Sequence, residues 1–233
     1  MRADRRVILL LVAVGVAVVA GGSAAVASRA SPRTVCGSEA VVVVSSGWGQ
    51  RSEGGSGFYS WGAVLANRST TEDAVGVTVT VSLDASGVGP YDSRQIAIAT
   101  VPAGRRFYVG DGEGTAAGGR ITRMQVAIQV KAMRPKLYLL PSVSKIRFDR
   151  FNDGVTAELT NPYSAPLNLY HADGFLVAFG RRGRVIGGTR IQLANPVSGQ
   201  TSLAPGAHLR VEFPLIAVPF KRLAHVGISV NPA

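Results

Sequence analysis

Ala74-Val75-Gly76-Val77-Thr78-Val79-Thr80-Val81-Ser82-Leu83-Asp84 is the stretch on which the fold turns. Successive side chains of a strand point to opposite faces, so a period of two puts Val75, Val77, Val79, Val81 and Leu83 on one face. Gly76, Thr78, Thr80 and Ser82 fall on the other, and valine favours such half-buried pleated surfaces. The device recurs outward from this stretch. Met124, Val126, Ile128 and Val130 alternate with Arg123, Gln125, Ala127 and Gln129. Val155, Ala157 and Leu159 do so with Thr156, Glu158 and Thr160, and Leu209, Val211 and Phe213 with His208, Arg210 and Glu212. Ala224, Val226, Ile228 and Val230 close the series against His225, Gly227 and Ser229. One face in and one face out is the pattern of antiparallel sheets stacked as sandwiches.

Composition agrees. Among 233 residues, 46% are hydrophobic, only 17% are charged and 28 are glycine, a balance suited to strands and turns. The formal charge of +11 is unevenly spread. Residues 1–33 carry five arginines and one aspartate, residues 34–135 nine basic and eight acidic groups, and residues 142–233 ten basic and five acidic. A dispersed excess of this kind serves solubility or weak attraction to an anionic surface. No basic–aromatic recognition motif accompanies it, so no nucleic-acid partner is expected.

Arg2, Arg5 and Arg6 precede an uncharged run from Val7 to Ala27. Basic residues stay on the cytoplasmic side while an apolar run enters the bilayer, which places the rest of the chain outside. Val7–Ala20 with Ala25-Val26-Ala27 fits a cleaved signal peptide, and Val7–Ala27 as a whole fits a retained anchor. The reading taken is a single-pass membrane protein with its C-terminal region outside; the alternative is secretion after cleavage near Ala27. Cys36 is the sole cysteine, which excludes an internal disulfide and a cysteine-based metal site.

The two halves repeat one another. Ala63-Val64-Leu65-Ala66-Asn67 matches Ala157-Glu158-Leu159-Thr160-Asn161, and Val81 to Gly87 matches Val177 to Gly183. Val101-Pro102-Ala103-Gly104 matches Leu203-Ala204-Pro205-Gly206, and Ile121-Thr122-Arg123-Met124 matches Phe220-Lys221-Arg222-Leu223. Four landmarks in one order indicate an internal repeat of about 95 residues, the size of one immunoglobulin-class sandwich. The expected architecture is all-β: two tandem immunoglobulin-like antiparallel β-sandwich domains behind an N-terminal hydrophobic helix. Residues 1–27 are the anchor or signal peptide, 28–40 a tether, 41–135 the first sandwich and 142–233 the second.

These landmarks, with Leu83-Asp84-Ala85-Ser86-Gly87 and Arg184-Val185-Ile186-Gly187-Gly188-Thr189, resemble the FxLYD and late-embryogenesis type-2-like β-sandwich repeats. The second copy departs from that pattern at Gly180. The resemblance implies an exported or membrane-anchored bacterial accessory module and brings no catalytic residues with it.

No nucleophile elbow, His-Glu-x-x-His pair or phosphate loop occurs, and His171, His208 and His225 lie far apart in sequence, so no enzyme, cofactor or metal is expected. Asp111-Gly112-Glu113-Gly114 supplies too few oxygens for a calcium loop and reads as a turn. Two sets of residues are candidate contacts. Trp48, Tyr59 and Trp61 are a candidate ligand platform, or else core. Arg181, Arg182 and Arg184, on a predicted hairpin, are a candidate contact for an anionic partner. The expected function is a non-catalytic interaction or scaffold module, anchored to the membrane and binding an envelope protein or an anionic cell-surface polymer; the alternative is a glycan- or small-ligand-binding exported module.

Overall fold

The computed structural model describes residues 33–35, 39–53, 56–86, 89–115, 120–149, 151–194, 200–218 and 220–232. The apolar N-terminal run and Cys36 lie outside the described residues. Among the described residues no helix is long and apolar enough to cross a membrane.

The chain from Pro32 to Ala233 gathers into one compact unit. Its first half contains β1 (Arg33–Val35), β2 (Val41–Glu53), β3 (Ser56–Asn67), β4 (Glu72–Ala85), β5 (Gly89–Val101), β6 (Arg106–Thr115) and β7 (Ile121–Pro135). The second half contains β8 (Ser142–Asp149), β9 (Gly154–Thr160), β10 (Leu167–Asn168), β11 (Asp173–Gly180), β12 (Val185–Gln192), β13 (Ser202–Leu203), β14 (His208–Pro214) and β15 (Leu223–Asn231). Every pairing among the described residues is antiparallel. Four sheets carry the fold, ordered β1-β7-β4-β5, β2-β3-β6, β12-β11-β15 and β14-β9-β8, and β10 and β13 form a short ribbon. The all-β, sandwich-like class read from the alternation therefore holds.

Within β4 the alternation does what its period requires. Val77, Val79, Val81 and Leu83 are buried together, facing Trp61, Leu65 and Phe107 of the β2-β3-β6 sheet. The pattern slips at Gly76, whose φ of +63° only a residue without Cβ adopts at little cost. Ala74 rather than Val75 then takes the buried position. In the second half Val155, Ala157, Leu159, Val211 and Phe213 face Leu176, Ala178 and Val230.

A third contact joins the halves. The face of β2-β3-β6 turned away from the first core lies on the β12-β11-β15 sheet, with Val64 against Val177, Phe179 and Val185. Glycines line this contact. A Cβ on Gly62 would stand 2.7 Å from the Gly187 carbonyl oxygen, and one on Gly188 would stand 2.6 Å from that of Trp61. Gly47, Gly49 and Gly110 meet the carbonyls of Val185, Ile186 and Leu176 in the same way. Backbone thus packs on backbone, as glycine within strands permits. The polar positions of β15, which alternation alone sends to solvent, partly face this contact instead: Ser229 is buried and accepts from the Tyr108 amide at 2.9 Å.

Candidate binding surfaces

Trp48 on β2 and Trp61 on β3 sit directly opposite one another. Trp61 is 1% exposed, Tyr59 is buried beside it, and Trp48 packs half-buried on the same core. The Tyr59 hydroxyl donates to Asp92 on β5, whose carboxylate also accepts from Arg94 Nε at 3.0 Å. These rings are core residues stitched to the facing sheet, and the buried faces of Tyr59 and Trp61 offer a ligand no platform. The period-two spacing of Tyr59 and Trp61 carried that outcome.

Arg181, Arg182 and Arg184 lie where the hairpin was expected, at the exposed turn between β11 and β12. The turn closes through Gly180 N–H to Arg184 O at 2.9 Å, with Arg182 and Gly183 both at positive φ. None of the three pairs with a carboxylate of a described residue, so the tip presents three cations to solvent.

The histidines do not converge. His208 bonds Thr160 Oγ1 at 2.9 Å beside Glu158, and His225 stacks on Phe179 with centroids 4.4 Å apart. His171 lines a polar cleft of about 410 Å³ with Asp111, Tyr170, Asp173, Arg190 and Gln192. Sequence spacing gave no sign of this grouping, because β6 and the β11–β12 hairpin meet only through the packing of the halves. Arg190 Nη2 holds Asp173 Oδ2 at 2.8 Å, and the carboxylate keeps the guanidinium pKa raised. Burial pushes the Asp111 carboxyl up, against the opposing pull of the Gly112 amide and of Arg190 and Arg94. Both acids are thus engaged by other groups, and among the described residues no hydrogen bond sets His171 as a base. Asp111 belongs to strand β6, where it pairs opposite Trp61, which corrects the turn expected over 111–114. Among the described residues no group of three or more metal-ligating side chains is assembled.

A further exposed aromatic surface lies on the open side of the second half. Strands β8 and β15 are edge strands of facing sheets. Between them a cleft of about 560 Å³ is lined by Phe148, Phe220, Lys221, Leu223 and Ala224, and Phe148 meets Phe220 edge-on at 6.0 Å. Phe148 is 43% exposed and Phe151, just beyond the strand, 98%. A bulge interrupts β8, with Lys145 at φ +50° and the register jumping between Ser144 and Arg147. Bulges and edge cations obstruct the addition of a long foreign strand, so this edge offers side chains more than a ladder. Lys221 is the cation in the lining of the cleft; Lys145 and Arg147 border a separate cleft with Glu158 and Arg210, where Lys145 Nζ pairs with Glu158 at 2.9 Å. The alternating stretches leave out Ile146 and Phe148, and only the sheet order shows that they stand on an edge strand.

No family model matches the chain, and no curated protein matches it. Among solved structures, a red sea bream transglutaminase aligns at 13% identity with a TM-score of 0.22. The alignment covers 86% of this chain, which spans 31% of that one, and a likeness at that score carries no argument.

Proposed function

We propose that this chain is an exported, non-catalytic binding module, anchored by residues 7–27, that engages a protein partner outside the membrane. The observation supporting it is the open Phe148–Phe220 cleft, with Lys221 in its lining. Uncovered aromatic groups in a pocket are the side chains that most often supply interface energy, and a lysine beside them suits a partner carrying a carboxylate. A glycan platform finds no support, since Tyr59 and Trp61 are inside the core. The Arg181–Arg184 tip is the natural contact for an anionic polymer.

The test is photocrosslinking from position 148 of the intact protein in its own membrane. One recurrent protein adduct that disappears in Phe220→Ala is the expected result. Absence of any protein adduct, with polysaccharide retained in its place, overturns the proposal.

A further inference from the structure

Residues Arg134 to Leu140 join the halves, and the run Leu137-Tyr138-Leu139 is turned outward. Leu137 is 80% exposed, Leu139 63% and Tyr138 42%. This loop is not slack. Lys136 N donates to Thr71 O at 3.0 Å, and the buried Asp73 carboxylate accepts from Leu137 N at 2.8 Å and Tyr138 N at 3.0 Å. The Tyr163 hydroxyl donates to Leu139 O at 2.6 Å. With its backbone held from both halves, the loop leaves Leu137 and Leu139 largely in water, which is unfavourable, while Tyr138 and Leu139 also border a cleft of about 790 Å³ with Pro162 and Tyr163.

The surroundings are basic. Backbone bonds bring the turns over 67–72 and 102–106 to the same end of the first half: Gly104 N to Ser69 O, Asn67 N to Arg105 O and Arg68 N to Ala40 O. Arg68, Arg105, Arg106, Arg134 and Lys136 are exposed there, against the carboxylates of Glu39 and Glu72. The adjoining turn over residues 162–168 carries no charge.

The same end receives the chain from the N-terminal run. Strand β1 is antiparallel to β7, with Arg33 opposite Met133 and Val35 opposite Val130. The chain therefore enters the unit beside Arg134. Only residues 28–32 separate Ala27 from Arg33. Covalent geometry limits that distance to about 20 Å.

We propose that Leu137, Tyr138 and Leu139 dock into the interface of the membrane that holds the anchor, with the surrounding arginines and lysine on anionic headgroups. Apolar side chains backed by an aromatic ring and basic residues suit the headgroup boundary, where each cation adds attraction to an anionic leaflet. This inference rests on the anchored reading of residues 7–27.

The full chain, carrying Cys36→Ser and an environment-sensitive fluorophore on Leu137→Cys, is reconstituted into vesicles of phosphatidylglycerol and phosphatidylcholine. The comparison label sits at Ser86→Cys, in the turn beside Arg120 at the far end of β7. Expected is blue-shifted emission at 137, quenched by lipids spin-labelled near the headgroup, with neither effect at 86. Vesicles of phosphatidylcholine alone should weaken the signal, and Leu139→Asp should abolish it while protein stays with the vesicles. Retained protein with equal emission and no quenching at either position overturns the docking and leaves the anchor intact. Protein that leaves the vesicles on alkaline extraction overturns the anchor, and this inference with it.

Discussion

Asn67 and Asn161 end equivalent strands, and their side chains do the same work. Asn67 Nδ2 donates to Glu72 O at 2.8 Å and Val101 O at 3.0 Å, while its Oδ1 accepts from Ser69 N. Asn161 Nδ2 donates to Ala165 O at 3.0 Å and Leu203 O at 2.8 Å, and Oδ1 accepts from Tyr163 N. Val101 and Leu203 open the matching Pro/Gly turns, whose Gly104 and Gly206 take φ of +67° and +68°. Each buried amide therefore bonds backbone groups of its own turn and of the Pro/Gly turn beside it. Asn161→Ala removes these bonds and should cost about 2–3 kcal/mol. For a unit of this size that is a fall in Tm of roughly 4–12 °C by calorimetry, and Asn67→Ala should match it. Asp111 offers the opposite sign. Burial holds its folded pKa above the ordinary value, so the unfolded chain ionises first as pH rises and stability falls through that window. Asp111→Asn should raise Tm at pH 7 and give no gain at pH 3.

At the level of strands, two kinds of period-two pattern run through this chain, and they differ in how openly they read. Valine alternation in β4 announces a buried face because apolar burial is the same in any sandwich. The glycines at 47, 49, 62, 110 and 188 belong to strands as well, but glycine equally marks turns, and its use here depends on a second sheet lying close by. For that reason Asp111-Gly112-Glu113-Gly114 reads as a turn and folds as strand. Ser229 is a parallel case, polar by type yet buried, because its partner is the Tyr108 amide of the other half. Gly110→Ala tests the seam. Its new Cβ would collide with the Leu176 carbonyl and approach Gly188 Cα at 2.9 Å, both of them backbone. Overpacking of this kind should cost about 1–3 kcal/mol or more. Gly104→Ala, where nothing lies within 4 Å and only the positive φ is strained, should cost about 1–2 kcal/mol. Denaturant midpoints that rank the two in reverse would show that the sheets part easily.

Across the whole molecule, the question is whether two cores behave as one body. Repeat landmarks and a short intervening segment are visible in the sequence, but the contact between halves is not, since it is built from glycines, carbonyls and polar side chains rather than an apolar stripe. Asn231, near the end of β15, reaches the free edge of β5, donating to Ala97 O at 3.1 Å and accepting from Ala99 N at 2.8 Å. It caps an edge of one half with a side chain of the other. Asp73 of β4 holds the amides of Leu137 and Tyr138, so the joining segment is tied to the first half while Tyr163 of the second binds Leu139 O. Unfolding either half would expose the seam and release these bonds together, which couples the two transitions. Calorimetry should therefore show one transition over Pro32–Ala233, with van't Hoff and calorimetric enthalpies equal. Asn231→Ala should lower that single Tm without splitting it. Two resolved transitions in the parent protein would mean that the seam contributes less than either core, and that each half stands on its own.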